Sequence, residues 1–451
     1  MSPRDQHAHA VVIGASLAGL FAARTLSDHF AQVTVLERDR LDDAQARRGV
    51  AHAQHLHGLL AGGVQAVEQM FPGFVAGARE AGALTVDVGE FATWYIDGVA
   101  LPAITTGLEG LLMGRPLLEQ HVRERLRAHA NVTLQEGVRV TALRGSAWHT
   151  EGVALMDADG AERVLDAQLV VDASGRGSLL PDWLVQLGLQ APKEDRVQMD
   201  LTYTSCLIRR KGSDLAGKLG YLYAPTSPHR RMGAALAIEG DRYIVTLMGY
   251  LGERAPRNYA GMIAYAKTLP VSGLYELLRD AEPLTPPVQL RDAASVRRRY
   301  EQLKHLPRGL LAIGDSLASL NPSYGHGMTV AALEALALGR LLASGTRDLS
   351  PAFFDEAARI IDVPWSMVVG ADFEFPGVTG TIEPPPATIR AYFKRALRAA
   401  GVDRAIALAV YRVMHLIAPP TELFSPEVMA SVLAHGDAAP GSSFVVMPER
   451  S

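Results

Sequence analysis

Cysteine is nearly absent: Cys206 is the only one in 451 residues. A lone thiol excludes intramolecular disulfides and thiolate-rich metal sites, and it suits a reducing cytoplasm. An excess of either charge is also missing, since 44 Lys and Arg against 48 Asp and Glu leave a net −4. Neither sign collects into blocks, so nothing in the sequence marks a nucleic-acid surface. The one dense basic run, Arg297-Arg298-Arg299, lies between Asp292 and Glu301 and reads as a solvated face. No apolar run reaches the roughly 18 to 20 residues of a membrane span. The stretch before residue 10 is polar, with Asp5, His7 and His9, unlike a secretory signal. A cytoplasmic protein without a membrane span is the expectation. His52, His55 and His57 lack acidic or cysteine companions, so a metal is not expected there; they read as lining a ligand cavity or as satisfying backbone carbonyls.

What is present is ordinary globular material, 48% hydrophobic and 20% charged. Its length suits two or three interleaved domains. Ala10 to Ile13 is a short β-branched run ending at Gly14. Leu17 to Phe30 has the apolar face of a helix, and Gln32 to Glu37 reads as a second strand. Strand, glycine turn, helix and strand within about 30 residues make a βαβ unit and hence a parallel sheet. Leu169-Val170-Val171 and Leu310 to Ile313 read as further buried strands. Residues 82–105 and 200–252 alternate apolar and polar positions, which predicts antiparallel strands, clearest in a hairpin turned at Glu239-Gly240-Asp241. Beyond Leu349 the chain reads as helical and proline-punctuated.

The fold class is therefore α/β. A Rossmann-like dinucleotide-binding domain (1–80, 111–199 and 296–349) is interleaved with antiparallel substrate-domain segments (81–110 and 200–295), and a helical region follows (350–451).

Gly14-Ala15-Ser16-Leu17-Ala18-Gly19 is a GxGxxG fingerprint with serine at its second glycine. Gly14 permits the tight turn, Ser16 is small enough for a pyrophosphate to approach the helix start at Leu17, and Gly19 allows close helix–strand packing. Glu37, 23 residues after Gly14, stands where a carboxylate accepts ribose hydroxyls, with Arg38 beside it.

Two later motifs each follow a buried strand. One is Asp172-Ala173-Ser174-Gly175-Arg176-Gly177-Ser178. The other is Gly314-Asp315-Ser316, leading into Asn321-Pro322-Ser323-Tyr324-Gly325-His326-Gly327-Met328-Thr329. With these, the sequence resembles the FAD-dependent monooxygenases of the para-hydroxybenzoate hydroxylase (group A) type. By that resemblance the cofactor is FAD. Asp315 binds the ribityl chain, the backbone of Gly327 and Met328 faces the isoalloxazine, Arg115 opens a helix against FAD, and the Val140 backbone reads adenine. Arg47 or Arg48 lies near the pyrophosphate. The runs Arg47-Arg48-Gly49-Val50 and His55-Leu56-His57 make the chain similar to the bacterial flavin epoxidases of polyether biosynthesis.

The activity this implies is insertion of one oxygen atom from O₂ into an apolar small molecule, by epoxidation or hydroxylation through a flavin C4a-hydroperoxide. Electrons would come from NAD(P)H or a separate flavin reductase. The Asp172 motif departs from the phenol hydroxylase Asp-Gly fingerprint, which leaves that source open. His326, in the flavin loop, is the one side chain with a case for a catalytic role. His55, His57 and Tyr324 are candidate substrate contacts. Flavin halogenases carry a Trp-x-Trp-x-Ile-Pro motif, and no two of the four tryptophans here are two apart. A prenyl-chain reductase and a non-catalytic flavin sensor are the alternatives. The apolar face over 402–417 either packs on the core or roofs the substrate cavity; few cations on its polar side argue against a membrane surface.

Overall fold

A computed structural model of the chain describes residues 8–41, Arg47 and residues 50–437. Five short strands form a parallel sheet in the order Leu310–Ala312, Leu169–Asp172, His9–Ile13, Gln32–Leu36, Val132–Gln135. The four strands other than the edge strand Val132–Gln135 carry apolar runs that are buried almost throughout, as parallel strands require. Helices Leu17–Ser27, Gly327–Ala343 and Leu349–Asp372 pack together with this sheet in the largest apolar cluster.

The second layer is a nine-stranded sheet centred on the 16-residue strand Glu194–Arg209, which pairs antiparallel with Val288–Arg298 and Arg242–Gly249. The hairpin turning at Glu239 to Asp241 is present between Arg231–Ile238 and Arg242–Gly249, with Asp241 and Gly240 at positive φ. Ala92–Ile96 departs from the antiparallel expectation. It joins this sheet parallel to Gly220–Tyr223, while Leu84–Asp87 pairs with Glu109–Leu112 in a separate antiparallel ribbon.

The arginine run at 297–299 is not a solvated face. Arg297 is 1% and Arg298 8% exposed. Arg297 bonds Asp362 at 2.6 Å, Arg298 reaches Glu194 and the Ser316 carbonyl, and Arg299 pairs with Asp195. These partners lie 18 to 104 residues away in sequence, whereas the flanking Asp292 is taken by Arg176. The cluster pins the end of the long strand pair to the turn at 314–316.

Cys206 packs with Ile208, Val245 and Met262, and burial pushes its thiol up to about 12. It therefore stays protonated and inert at neutral pH. Cys206→Ser is expected to cost about 1–2 kcal/mol of stability through the buried hydroxyl and to leave FAD content and turnover unchanged. Paired melting and flavin-absorbance measurements check this.

A candidate flavin site and the cavity beside it

The first turn is set by backbone geometry. Gly14 has φ +102°, and a Cβ there would sit 2.5 Å from the Ala173 carbonyl oxygen. A Cβ on Gly19 would come within 1.9 Å of the Gly14 carbonyl oxygen. Only glycine fits either place. The first intrahelical bond beyond the turn runs from Leu20 N–H to the Ser16 carbonyl at 3.0 Å, so the N–H groups of Leu17 and Ala18 have no helical acceptor. That is the arrangement an anion takes up.

Around the turn lies a buried ionic network. Glu37 closes the second strand and accepts from Ala15 N–H at 2.8 Å and Asp39 N–H at 3.0 Å. Arg47 is 8% exposed and spans Glu37 (3.1 Å), Glu119 (2.9 Å) and the Ala15 carbonyl (3.2 Å). Burial opposes its charge, but Glu119 and Glu37 outweigh that and raise its pKa. Arg115 opens the Arg115–Arg127 helix and donates to Ser16 Oγ at 2.9 Å, while Ser16 Oγ donates to Glu119 at 2.8 Å. The Nε of Arg115 is buried without a partner. Arg48 and Gly49 lie outside the described residues.

Arg38 is exposed in a cleft with Arg40, Gly137 and Arg139, at the outer end of the second strand. Val140 is buried at the start of strand Arg139–Gly145 next to this cleft, and Val138 N–H donates to the Glu37 carbonyl at 2.8 Å.

At the other end, Gly314–Ser316 is a turn whose Gly314 N–H donates to Glu334 at 2.8 Å. Asp315 is half-buried. Its Oδ2 accepts from Ser319 at 3.4 Å, and its Oδ1 lies 3.8 Å from where a Gly327 Cβ would be. The helix Gly327–Ala343 starts there; its first bond runs from Val330 N–H to the His326 carbonyl, leaving the N–H groups of Gly327 and Met328 without helical acceptors. The Asp172 motif ties the pieces together. Ser316 Oγ accepts from Gly175 N–H at 2.8 Å, and Arg176 grips Asp292 and Ser319.

Arg115, bonded to Ser16 and within electrostatic reach of Glu119 and Asp315, links the turn at 14–19 to the turn at 314–316, so the open N–H groups of two helix starts, the carboxylates of Glu37 and Asp315 and the orphaned Arg115 Nε belong to neighbouring parts of the molecule. Diphosphate, ribose and ribityl groups need donors and acceptors of these kinds, so the residues fit FAD.

Against the loop 322–326 lies a cavity of about 630 Å³ with mostly apolar walls. One wall is the large sheet, with Tyr203, Leu236, Met248 and Tyr250. Helices Ala387–Ala400 and Arg404–Met414 cover it through Phe393, Leu397, Val410 and Val413. Those helices also pack on Val88, Leu101, Ile104 and Leu108, so their apolar faces serve both scaffold and roof.

His326 and Tyr324 face this cavity, as does His55; the candidate substrate contact His57 is half-buried, does not line it, and has Nδ1 on the His55 carbonyl at 2.9 Å. Burial lowers the His326 pKa to about 4, so the ring is neutral. Sequence reasoning missed the group behind it. Asp372 accepts from Tyr250 (3.0 Å), Asn321 (2.9 Å) and Tyr324 (3.4 Å) on one oxygen, and its other oxygen is buried without a partner. Burial raises this carboxyl to about 7. Only Asn321 and Tyr324 stood in a motif; Tyr250 and Asp372 lie in unremarkable apolar stretches. Among the described residues no group of three His, Cys, Asp or Glu is arranged to hold a metal ion, and no helix is long and apolar enough to cross a membrane.

A family model described as an FAD binding domain matches residues 7–359. The chain belongs to that family. The match stops before the two helices that cover the cavity. The chain is 32% identical to the Mycobacterium tuberculosis protein Rv3254, over 96% of this chain and 94% of that one. Among solved structures it is similar to the flavin-dependent brominase Bmp2, with TM-score 0.68, 14% identity, and 95% and 98% of the two chains covered. It is also similar to p-nitrophenol 4-monooxygenase PnpA from Pseudomonas putida DLL-E4, with TM-score 0.62, 16% identity, and 91% and 98% covered. At these identities the structural likenesses establish the shared fold.

Two predictions follow from the site. Glu37→Ala and Asp315→Ala are each expected to weaken FAD retention by about 2 kcal/mol, roughly 30-fold in Kd, by removing a charge-assisted contact; dialysis against limiting FAD measures it, and unchanged retention in both contradicts the assignment. Glu334 is fully enclosed, and burial lifts its pKa from 4.5 to about 8. The folded state keeps that proton while the unfolded state loses it, so this group's share of stability falls as pH rises from about 4.5 to about 8. Glu334→Gln keeps an acceptor for Gly314 N–H and cannot ionise. Its melting temperature relative to the parent is expected to climb across that interval; a flat difference contradicts the shift.

Proposed function

We propose that this family member is an FAD-dependent monooxygenase that transfers one oxygen atom from O₂ to an apolar small molecule held in the 630 Å³ cavity. The observation that carries the reading is the contact of that cavity with the loop Pro322 to His326 at the start of the Gly327–Ala343 helix. Substrate space and candidate flavin space share a wall.

The pyrophosphate would rest on the Gly14–Gly19 turn with Arg115 alongside, the ribose on Glu37, the ribityl chain on Asp315, and the flavin ring against Gly327 and Met328. Bound FAD supplies the redox chemistry, taking electrons from NAD(P)H or a reductase and activating O₂. The chain contributes the rest. The positive end of the Gly327–Ala343 helix favours negative charge on the neighbouring ring. The apolar walls exclude water, and the roof helices hold the substrate over the reacting face. Neutral His326 carries no imidazolium proton to give at physiological pH, so its part is to shape the wall rather than to act as an acid.

The test is isotopic. Holoenzyme reduced by light or dithionite, then mixed with ¹⁸O₂ and a panel of apolar alkenes and arenes, is expected to place one ¹⁸O in product. Reoxidation that yields only hydrogen peroxide across the panel, or a reduced double bond without label, contradicts it; the second outcome is that of a reductase. A further expectation concerns the roof. Val413→Trp fills cavity volume, so FAD content is expected to stay at one per chain while KM for an accepted substrate rises at least about tenfold. Equal loss of FAD and turnover would contradict a substrate role for this surface.

A further inference from the structure

Resting on the reading of this cavity as the substrate site, we propose that His55 is a fixed neutral hydrogen-bond donor that selects apolar substrates bearing an uncharged acceptor oxygen, such as a ketone, ester or ether.

A chain of buried hydrogen bonds begins at a backbone amide. Leu56 N–H donates to Thr246 Oγ1 at 3.2 Å. Thr246 Oγ1 and Ser205 Oγ lie 2.7 Å apart, and Ser205 Oγ is 2.7 Å from His55 Nδ1. Ser205 is wholly buried, Thr246 2% and His55 4% exposed. Two proton orders satisfy these distances. In one, Thr246 donates to Ser205, Ser205 donates to Nδ1, and the imidazole carries its proton on Nε2. In the other, Nδ1 donates to Ser205 and Ser205 to Thr246, which leaves the Thr246 O–H with no acceptor among the described residues. A buried donor without a partner is costly, so the first order prevails. It leaves one group unfilled, the Nε2–H of His55.

That nitrogen has no partner among the described residues and is not among the fully enclosed unpaired atoms, and His55 lines the cavity. Burial pulls its pKa to about 4, which agrees with a neutral ring. The Tyr203 ring packs edge-on at 4.5 Å and fixes the imidazole plane. Of the other polar groups along the cavity, Tyr324 donates to Asp372 and Glu374 is bridged by Arg390 and Lys394, while the unpartnered His326 Nδ1 and His415 Nε2 are fully enclosed. A neutral fixed donor in an apolar chamber rewards an acceptor oxygen and offers little to a hydrocarbon.

The experiment uses two probes of nearly equal shape, 1-acetylpyrene and 1-ethylpyrene, titrated into the holoenzyme by fluorescence. The parent is expected to bind the ketone at least about fivefold more tightly. His55→Phe is expected to abolish the preference while 1-ethylpyrene binding changes less than about twofold. His55→Gln, which keeps a donor, is expected to retain part of it. Ser205→Ala frees the tautomer and is expected to shrink it to about twofold. FAD content and melting temperature check folding, and if the Phe variant unfolds, the Gln and Ser205 variants decide. Equal binding of both probes by the parent, failure of the parent to bind either, or a preference that survives His55→Phe and Ser205→Ala would each overturn the inference. Loss of ¹⁸O transfer with the probe preference intact would strike the proposed chemistry instead.

Discussion

The cofactor end of the molecule depends on one buried ionic network. Arg47 joins Glu37 at the end of the second strand to Glu119 on the Arg115–Arg127 helix, and Arg115 closes the circuit through Ser16. Burying such charges singly would cost several kcal/mol each, and mutual pairing is what makes it tolerable. Burial alone would raise the Glu119 pKa, but Arg115 and Arg47 hold it below the usual carboxylate value. The network fixes where the turn at 14–19 sits relative to strand and helix. A point charge misplaced there would move the open N–H groups of the helix start.

That constraint explains what was legible in the sequence. The turn, its flanking strands and Glu37 are close together in the chain and governed by backbone sterics, so their residue types announce them. The GD turn and the loop 321–328 are equally local. Arg297 to Arg299 are not: besides the nearby Glu301, they are held by Glu194, Asp195 and Asp362, far away in the chain. The neighbours visible in sequence, Asp292 and Glu301, suggested solvent instead. The parallel pairing of Ala92–Ile96 was hidden for the same reason, since its partner lies more than a hundred residues on. Arg47 was placed near the pyrophosphate by resemblance, while its inward grip on Glu119 depends on a helix seventy residues away.

The cavity is the least local feature. Its walls come from the segment near His55, the large sheet, the flavin loop and the two helices after residue 387. No stretch of sequence carries its signature, and the apolar face at 402–417 left scaffold and roof as rival readings. In the fold the two contacts coincide, because the apolar face with Val410 and Val413 both packs in the cluster with residues 88–108 and lines the chamber. Asp372, held by Tyr250, Asn321 and Tyr324, shows how polar groups assemble at such a seam from three distant segments.

The central claim is that cavity and flavin site form one active site. The most direct measurement is the visible absorption of the bound flavin during titration with an apolar aromatic ligand such as pyrene. A saturable perturbation of the flavin band with one ligand per chain is expected, and its loss in a variant whose cavity is filled. Saturable binding that leaves the flavin spectrum unchanged would place the cavity away from the cofactor and contradict the account.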